Sequence, residues 1–178
     1  MVLLSLMIVL TMGWPVFFGH ERVGQFGKPI RVWKFRTMVR DAEAILRSDP
    51  ELLSAYVRNG YKLDASKDKR ITPLGRILRK LSLDELPQLY NVLIGEMSLV
   101  GPRPVISKEL DHYGDHREAF LSVKPGLTGW WQVSGRSDVP YPERVDLELY
   151  YVRNRSLWLD LKILLLTVPS VLKGKGAQ

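Results

Sequence analysis

The run Leu83-Asp84-Glu85-Leu86-Pro87-Gln88-Leu89-Tyr90-Asn91-Val92-Leu93-Ile94-Gly95-Glu96-Met97-Ser98-Leu99-Val100-Gly101-Pro102-Arg103-Pro104 joins two adjacent carboxylates to a short apolar helix and a proline-locked arginine. A proline is tolerated in the first turn of a helix, where its missing N–H would have no partner anyway, so Pro87 places a helix start near Asp84. Asp84 is then the expected N-cap and Glu85 a first-turn acid favoured by the helix dipole. A start at Ser82 would pair Ser82 with Glu85 in a capping box, but it would push Pro87 beyond the first turn. As a helix cap the acid pair needs no further chemistry. The rest of the chain bears on whether it has any.

Upstream, Thr72-Pro73 signals a helix start, with Thr as N-cap and Pro at the first position. Leu74, Ile77, Leu78 and Leu81 form its apolar stripe, so Arg76, Arg79 and Lys80 are expected to point elsewhere. Chain connectivity thus delivers cations to the acids. Downstream, prolines on both sides fix the backbone of Arg103, which suits its guanidinium either to bidentate phosphate capture or to pinning a loop.

Val16-Phe17-Phe18 and Ile30-Arg31-Val32-Trp33-Lys34-Phe35-Arg36 read as strands joined through Gly24 and Gly27, a plausible hairpin. Period-two alternation would set Lys34 and Arg36 on one face, roughly 7 Å apart, where they could straddle a phosphate or simply protect an edge strand. Met38 to about Asn59 is helical with a break near Pro50, and Lys62 to Arg70 reads as a polar loop. Lys124 to Gly129 is turn chemistry, followed by a short strand over Trp130–Val133 and a turn at Ser134-Gly135-Arg136. The two tryptophans suit a base stack, a membrane interface or a core pair. Pro142 to Asn154 is helical.

Residues 1–19 carry no charged side chain, but Gly13 and Pro15 interrupt the apolar run early. It is short for a transmembrane helix, which needs about 20 apolar residues, and residues 1–15 read as a membrane-embedded or re-entrant segment, or else a buried core helix. Leu157 to Leu172 is apolar but carries Asp160, Lys162 and Pro169, and Lys173 and Lys175 close it. That profile fits a helix lying in the interfacial plane over about 156–173.

Length and composition set the outer bounds. The 178 residues suffice for one domain with a real core, and 26 Lys plus Arg against 19 Asp plus Glu leave a net charge of +7. Such an excess suggests an anionic partner, whether nucleic acid, an anionic membrane or a phosphorylated ligand. Cysteine is absent, which excludes disulfides and thiolate metal sites. His112 and His116 have zinc-helix spacing, yet Tyr113 follows where HExxH needs Glu. No GxxxxGK[ST] or GxGxxG motif occurs. What remains is two acids, several separately placed cations and apolar ends, a set able to support phosphoryl transfer through a carboxylate nucleophile with Mg²⁺ and basic side chains. On residues alone, a non-catalytic protein binding anionic lipids or a partner enzyme competes with this, and a nucleic-acid-binding module stands third.

The runs KFRTM (Lys34 to Met38), LDELPQLYNVLIGEMSLVGPRP (Leu83 to Pro104) and KPGLTGWWQVSGR (Lys124 to Arg136), together with the tail from Tyr150 to Leu161, closely resemble the bacterial sugar transferase family of monotopic polyprenyl-phosphate phosphoglycosyl transferases. The WWQVSGR form is most similar to hexose-1-phosphate transferases of exopolysaccharide or O-antigen assembly. The resemblance implies an α+β, largely helical, membrane-associated domain with a small β-hairpin, a re-entrant N-terminal helix in residues 1–15 and a cytoplasm-facing catalytic domain in 16–178 that ends in interfacial helices. It implies that Asp84 attacks the β-phosphate of a UDP-sugar, releases UMP and passes the phospho-sugar to undecaprenyl phosphate at the cytoplasmic face of the bacterial inner membrane. Glu85 would help hold Mg²⁺ with Asp84 or position the acceptor. Lys34, Arg79 and Arg103 would contact phosphates, with Arg36 beside Lys34 and Arg136 as further candidates. Nucleic acid is not an expected partner, and homo-oligomerisation is left open. Family members usually begin with a basic segment and a longer apolar helix broken by Ser-Pro, whereas only 14 residues precede Pro15 here. A shortened N-terminal segment is therefore expected.

Overall fold

The computed structural model describes residues 1–59, 63, 68–135 and 138–172, an α+β arrangement with two small sheets. Helix α1 (Val2–Met12) buries Ile8 and packs Leu4, Val9 and Met12 against Val16, Phe35 and Leu78, while Val2, Leu3, Leu6 and Leu10 face outward. It ends at Gly13, whose φ of 71° lies in the left-handed region that glycine tolerates. Among the described residues no helix is long and apolar enough to cross a membrane.

Strands β1 (Phe17–Val23) and β2 (Pro29–Phe35) form the expected antiparallel hairpin, in register from Phe17 opposite Phe35 to Val23 opposite Pro29. Directly paired residues share a face, so Phe18, His20 and Arg22 lie on the side that carries Lys34. Helices α2 (Ala42–Ser48) and α3 (Pro50–Arg58) follow. Their break is a cap: the Asp49 carboxylate accepts the Leu52 N–H at 3.0 Å.

Helix α4 (Pro73–Lys80) starts as read, with Thr72 Oγ1 accepting the Gly75 N–H at 3.0 Å. Its docking face differs from the expected stripe. Leu78 is buried and Leu74 packs beside it, but Ile77 and Leu81 are exposed, while Gly75 and Arg79 turn inward. The cause is close approach: a Cβ at Gly75 would stand 2.0 Å from the Thr37 carbonyl oxygen. Only glycine lets α4 press against the end of β2, and that contact rotates Arg79 toward the interior.

The acid pair also departs from expectation. Asp84 is not an N-cap; it sits inside a 3₁₀ turn over Leu83–Glu85, and α5 begins only at Gln88 (Gln88–Leu93) with Pro87 at its N-cap. An α-helix running through this point would need the residue-87 N–H to donate to the Leu83 carbonyl, and proline has none. The Leu83 carbonyl instead accepts the Leu86 N–H at 3.3 Å, and Ser82 enters the turn with a left-handed φ of 53°. Asn91, fully buried on α5, accepts the Trp33 N–H and donates to the Arg31 carbonyl and to Glu96, which fastens the helix to β2.

Strand β3 (Ser98–Val100) pairs in parallel with β4 (Gly126–Thr128). Between them lie the Gly101–Pro104 loop, a 3₁₀ segment over Ser107–His116, and α6 (Arg117–Leu121). Trp130–Val133, expected as a strand, is a helical turn, α7. The turn sends adjacent tryptophans in different directions, with Trp131 buried under Arg144 and Trp130 against Tyr150 and Lys162. Helix α8 (Glu143–Asn154) carries Val145 and Leu149 into a core with Val23, Val105, Leu110, Tyr113 and Phe120. Helix α9 (Leu157–Leu172) buries Ile163 against Val100 and Tyr151, while Leu157, Trp158, Leu165 and Val168 stay exposed. Lys173 and Lys175 lie outside the described residues.

Candidate active site

The tight turn that displaces Asp84 from a helix cap is also what buries it: the residue is 7% exposed. Burial pushes its carboxyl pKa above the usual aspartate value, and neighbouring Glu85 adds to this, while Lys34 and Arg79 oppose it. Among the described residues no side chain donates a hydrogen bond to the Asp84 carboxylate. Its charge is met by Lys34 and Arg79 nearby and by its own backbone N–H, which leaves carboxylate lone pairs uncommitted to side-chain donors.

Lys34 is placed by β2, and its Nζ lies 2.6 Å from Glu85 Oε1. Arg79 is placed by the Gly75 contact, and its Nε donates to Thr37 Oγ1 at 2.9 Å. Burial lowers the Arg79 pKa against the pull of Asp84, Asp68 and Glu85. Asp68 accepts from Arg70 Nε and Nη2 at 2.9 and 2.8 Å, a buried pair that supports the entry to α4. Lys34 on β2 is thus brought to Glu85 by the fold, while Arg79 on α4 precedes Asp84 and Glu85 by only a few residues in the chain.

Arg36 does not join them. Strand β2 ends at Phe35, so the alternation that would have aligned Arg36 with Lys34 stops one residue short. The Arg36 guanidinium donates to the Met12, Gly13 and Trp14 carbonyls at 2.6, 2.6 and 3.0 Å and is buried. These are the orphan carbonyls at the C-terminus of α1, where a cation is favoured by the helix dipole. Arg36 ties α1 to the hairpin, and its guanidinium is engaged away from the acids.

Arg103 forms a second centre. Its backbone N–H donates to Glu148 Oε1 at 3.3 Å, and its guanidinium stands 3.6 Å from Glu109 Oε1. Its charge is felt by His20, Arg22 and Glu109. Beneath it lies a dense network in which Arg144 reaches Glu109 at 3.3 Å and Glu148 at 3.2 Å, with its guanidinium between the Trp131 and Tyr141 rings. The Tyr113 hydroxyl donates to Glu148 in a short hydrogen bond, and the Tyr141 hydroxyl and Ile106 N–H donate to Glu109. Burial pushes Glu109 up, but Arg103 and Arg144 more than offset it and its pKa falls below the usual range. Burial pushes Glu148 up against Arg144 and Tyr113. Arg136 lies outside the described residues.

Sequence reasoning missed Thr37, His20 and Arg22. Thr37 is visible only once α4 docks. His20 and Arg22 alternate along β1, and extending the hairpin register past Phe18 would have placed them on the Lys34 face.

No cluster of three or more metal-ligating side chains occurs among the described residues. Asp84 and Glu85 offer two carboxylates, a donor set that suits Mg²⁺ when phosphate oxygens and water complete its octahedron.

A buried carboxylate lies near Lys34 and Arg79 on an α+β scaffold with apolar helices at both ends. The chain belongs to the bacterial sugar transferase family, which it matches over residues 1–174. It is 49% identical over 169 residues to the undecaprenyl-phosphate galactose phosphotransferase of Salmonella typhimurium, covering 93% of this chain and 35% of that protein. It is 46% identical to the exopolysaccharide production protein ExoY of Sinorhizobium fredii, over 93% of this chain and 74% of that one. Identity to the UDP-glucose:undecaprenyl-phosphate glucose-1-phosphate transferase of Escherichia coli is 40%, over 98% and 36%. The chain thus spans about a third of the length of the Salmonella and Escherichia proteins and three quarters of ExoY.

Proposed function

We propose that this protein transfers a hexose 1-phosphate from a UDP-sugar to undecaprenyl phosphate, the first membrane step of an exopolysaccharide, O-antigen or capsule pathway. The observation that carries the reading is Asp84, a buried acid with a raised pKa that is flanked by Lys34 and Arg79 yet receives no side-chain hydrogen bond among the described residues. The names of the relatives supply the sugar-phosphate and lipid-carrier chemistry.

In the first step an Asp84 carboxylate oxygen attacks the β-phosphorus of the donor. The bond from that phosphorus to the bridging oxygen breaks, and UMP leaves with the electron pair. In the second, a phosphate oxygen of undecaprenyl phosphate attacks the same phosphorus, and the acyl-phosphate bond breaks to restore Asp84. Lys34 and Arg79 neutralise charge on the transferred phosphoryl group in both steps, and burial keeps water from intercepting the acyl phosphate. Mg²⁺ held by Glu85 and Asp84 would supply further charge neutralisation on the donor diphosphate. Arg103 contacts a further phosphate.

The apolar residues left outward on α1 and α9 suit a seat at the cytoplasmic face of the inner membrane, where the lipid acceptor resides. In that arrangement residues 1–15 embed in the bilayer, 16–178 form the catalytic domain, and α9 lies in the interfacial plane.

The test is UMP release, measured with Mg²⁺ and undecaprenyl phosphate across UDP-glucose, UDP-galactose and UDP-N-acetylated sugars. Release with one or more hexose donors that vanishes in Asp84→Asn is expected. Absence of release with every donor, or full release by Asp84→Asn, would overturn the reading.

A further inference from the structure

The Asp84 centre leaves one group of cations unused. Arg22 ends β1 on the Lys34 face, and the next residue, Val23, donates its N–H to the Val105 carbonyl at 2.9 Å, which stitches the strand to the Gly101–Pro104 loop. That bridge sets the segments carrying Arg22 and Arg103 against each other, near enough for their charges to interact. Among the described residues no carboxylate lies within ion-pair distance of Arg22, and its side chain makes one hydrogen-bond contact, with His20 Nε2 at 3.3 Å.

Arg22 is largely withdrawn from water, and the positive charge of Arg103 acts on it. Burial lowers the Arg22 pKa to about 10, with Arg103 adding to the effect. Glu109 and Tyr56 offset only part of this, and the Glu109 carboxylate also serves Arg103, Arg144, the Tyr141 hydroxyl and the Ile106 N–H. Three arginines, Arg22, Arg103 and Arg144, stand against two carboxylates, Glu109 and Glu148. His20 adds no charge, since burial and then Arg22, Lys34 and Arg103 hold its pKa down to about 4. The cluster is short of negative charge on the side away from Glu109.

We propose that Arg22 and Arg103, with His20 lying between Arg22 and Lys34 along one face of the hairpin, form a second phosphate subsite, distinct from the Asp84 centre and built for a phosphate monoester. A monoester dianion matches a pair of guanidiniums in charge and in bidentate geometry. Two monoesters occur in the proposed reaction, the UMP that leaves and the polyprenyl phosphate that enters, and only the identity of these ligands rests on that reading. His20 senses both Lys34 and Arg103, so the subsite is continuous with the reaction centre along one face of the hairpin.

The experiment titrates UMP, and separately a short-chain polyprenyl phosphate, into the full chain in lipid nanodiscs, for wild type, Arg22→Gln, Arg22→Lys and the exposed control Arg47→Gln. Arg22→Gln is expected to weaken one of the two ligands at least tenfold and Arg22→Lys about threefold, with Arg47→Gln unchanged. A loss confined to UMP assigns the subsite to the nucleotide phosphate, and a loss confined to the polyprenyl phosphate assigns it to the acceptor. Unchanged affinity for both ligands in folded Arg22→Gln, or an equal loss in Arg47→Gln, overturns the proposal. Should circular dichroism show Arg22→Gln unfolded, Arg22→Lys decides by the same criteria. Trapping of a phospho-sugar on wild-type Asp84 is followed in parallel. Its failure would sink the transfer reaction while leaving the Arg22 binding result to stand or fall alone.

Discussion

Two buried acids, Asp84 and Glu148, carry pKa values raised by burial, yet they live in opposite surroundings. Glu148 accepts from the Tyr113 hydroxyl, from Arg144 Nε and Nη2, and from the Arg103 N–H. Asp84 has Lys34 and Arg79 within electrostatic reach but, among the described residues, no side-chain donor. An acid saturated with donors is scaffold, because every lone pair is committed and the network specifies one arrangement. An acid met chiefly by charge, with only its own backbone N–H as donor, would keep lone pairs for the substrate in the proposed reaction. Carboxylates and arginines occur in both surroundings, which differ in how completely each acid is satisfied.

The contrast breaks most sharply at Asp84 itself. Asp84→Asn should cut UMP release at least about 1,000-fold, roughly 4 kcal/mol of barrier, while stability stays level or rises by on the order of 1 kcal/mol, because a strained functional charge is gone. Steady-state release and denaturant unfolding check the two halves. The scaffold acids should behave in reverse. Arg144→Met strands Glu109 and Glu148 in the interior, and it should cost about 3–5 kcal/mol of unfolding free energy.

A smaller change sharpens the comparison through pH. In the proposed reaction Asp84 must be ionised to attack, so its raised pKa predicts that activity is lost as pH falls through that value. Lys34→Gln removes a cation that opposes the shift, so the acid limb of the pH–rate profile should move to higher pH and the rate at neutral pH should drop about tenfold. Stability has its own signs. Folded Asp84 holds its proton more tightly than the unfolded chain does. Its protonated form therefore stabilises below the unfolded pKa, and that contribution fades as pH rises through the folded one. Glu109, lowered, contributes above its unfolded pKa and loses that contribution as pH falls through the folded one. Unfolding measured across the carboxylate range should show Asp84→Asn gaining on wild type as pH rises, and Glu109→Gln gaining on it as pH falls. At the small end, Arg47→Ala breaks only an exposed i,i+4 pair with Glu43 and should shift stability by less than about 0.5 kcal/mol.

Much of this was legible in the residues. The hairpin followed from alternation around Gly24 and Gly27, α3 and α4 from Asp49-Pro50 and Thr72-Pro73, and the nearness of cations to the acid pair from connectivity. What was hidden depended on tertiary contact. Pro87 did mark a boundary, but without an N–H it forced a 3₁₀ turn and moved the helix start past the acids. The stripe on α4 was misread because Gly75, apolar-neutral in sequence, sets the docking face through backbone contact with Thr37. Arg36 looked like a partner of Lys34 until the strand ended one residue before it. The Arg144 network was not read from the sequence, since Arg144 and Glu148 lie within the expected helix over Pro142 to Asn154 and meet Glu109 and Tyr113 only when two segments pack together.

The central claim is that Asp84 is left open for covalent chemistry. Intact-mass spectrometry after incubation with the active UDP-sugar and Mg²⁺, without lipid acceptor, tests it directly. The account predicts one added hexose-phosphate mass, mapped to the peptide containing Asp84, absent in Asp84→Asn and discharged on adding undecaprenyl phosphate. An unmodified chain that nonetheless turns over donor and acceptor, or an adduct on another residue, would contradict it.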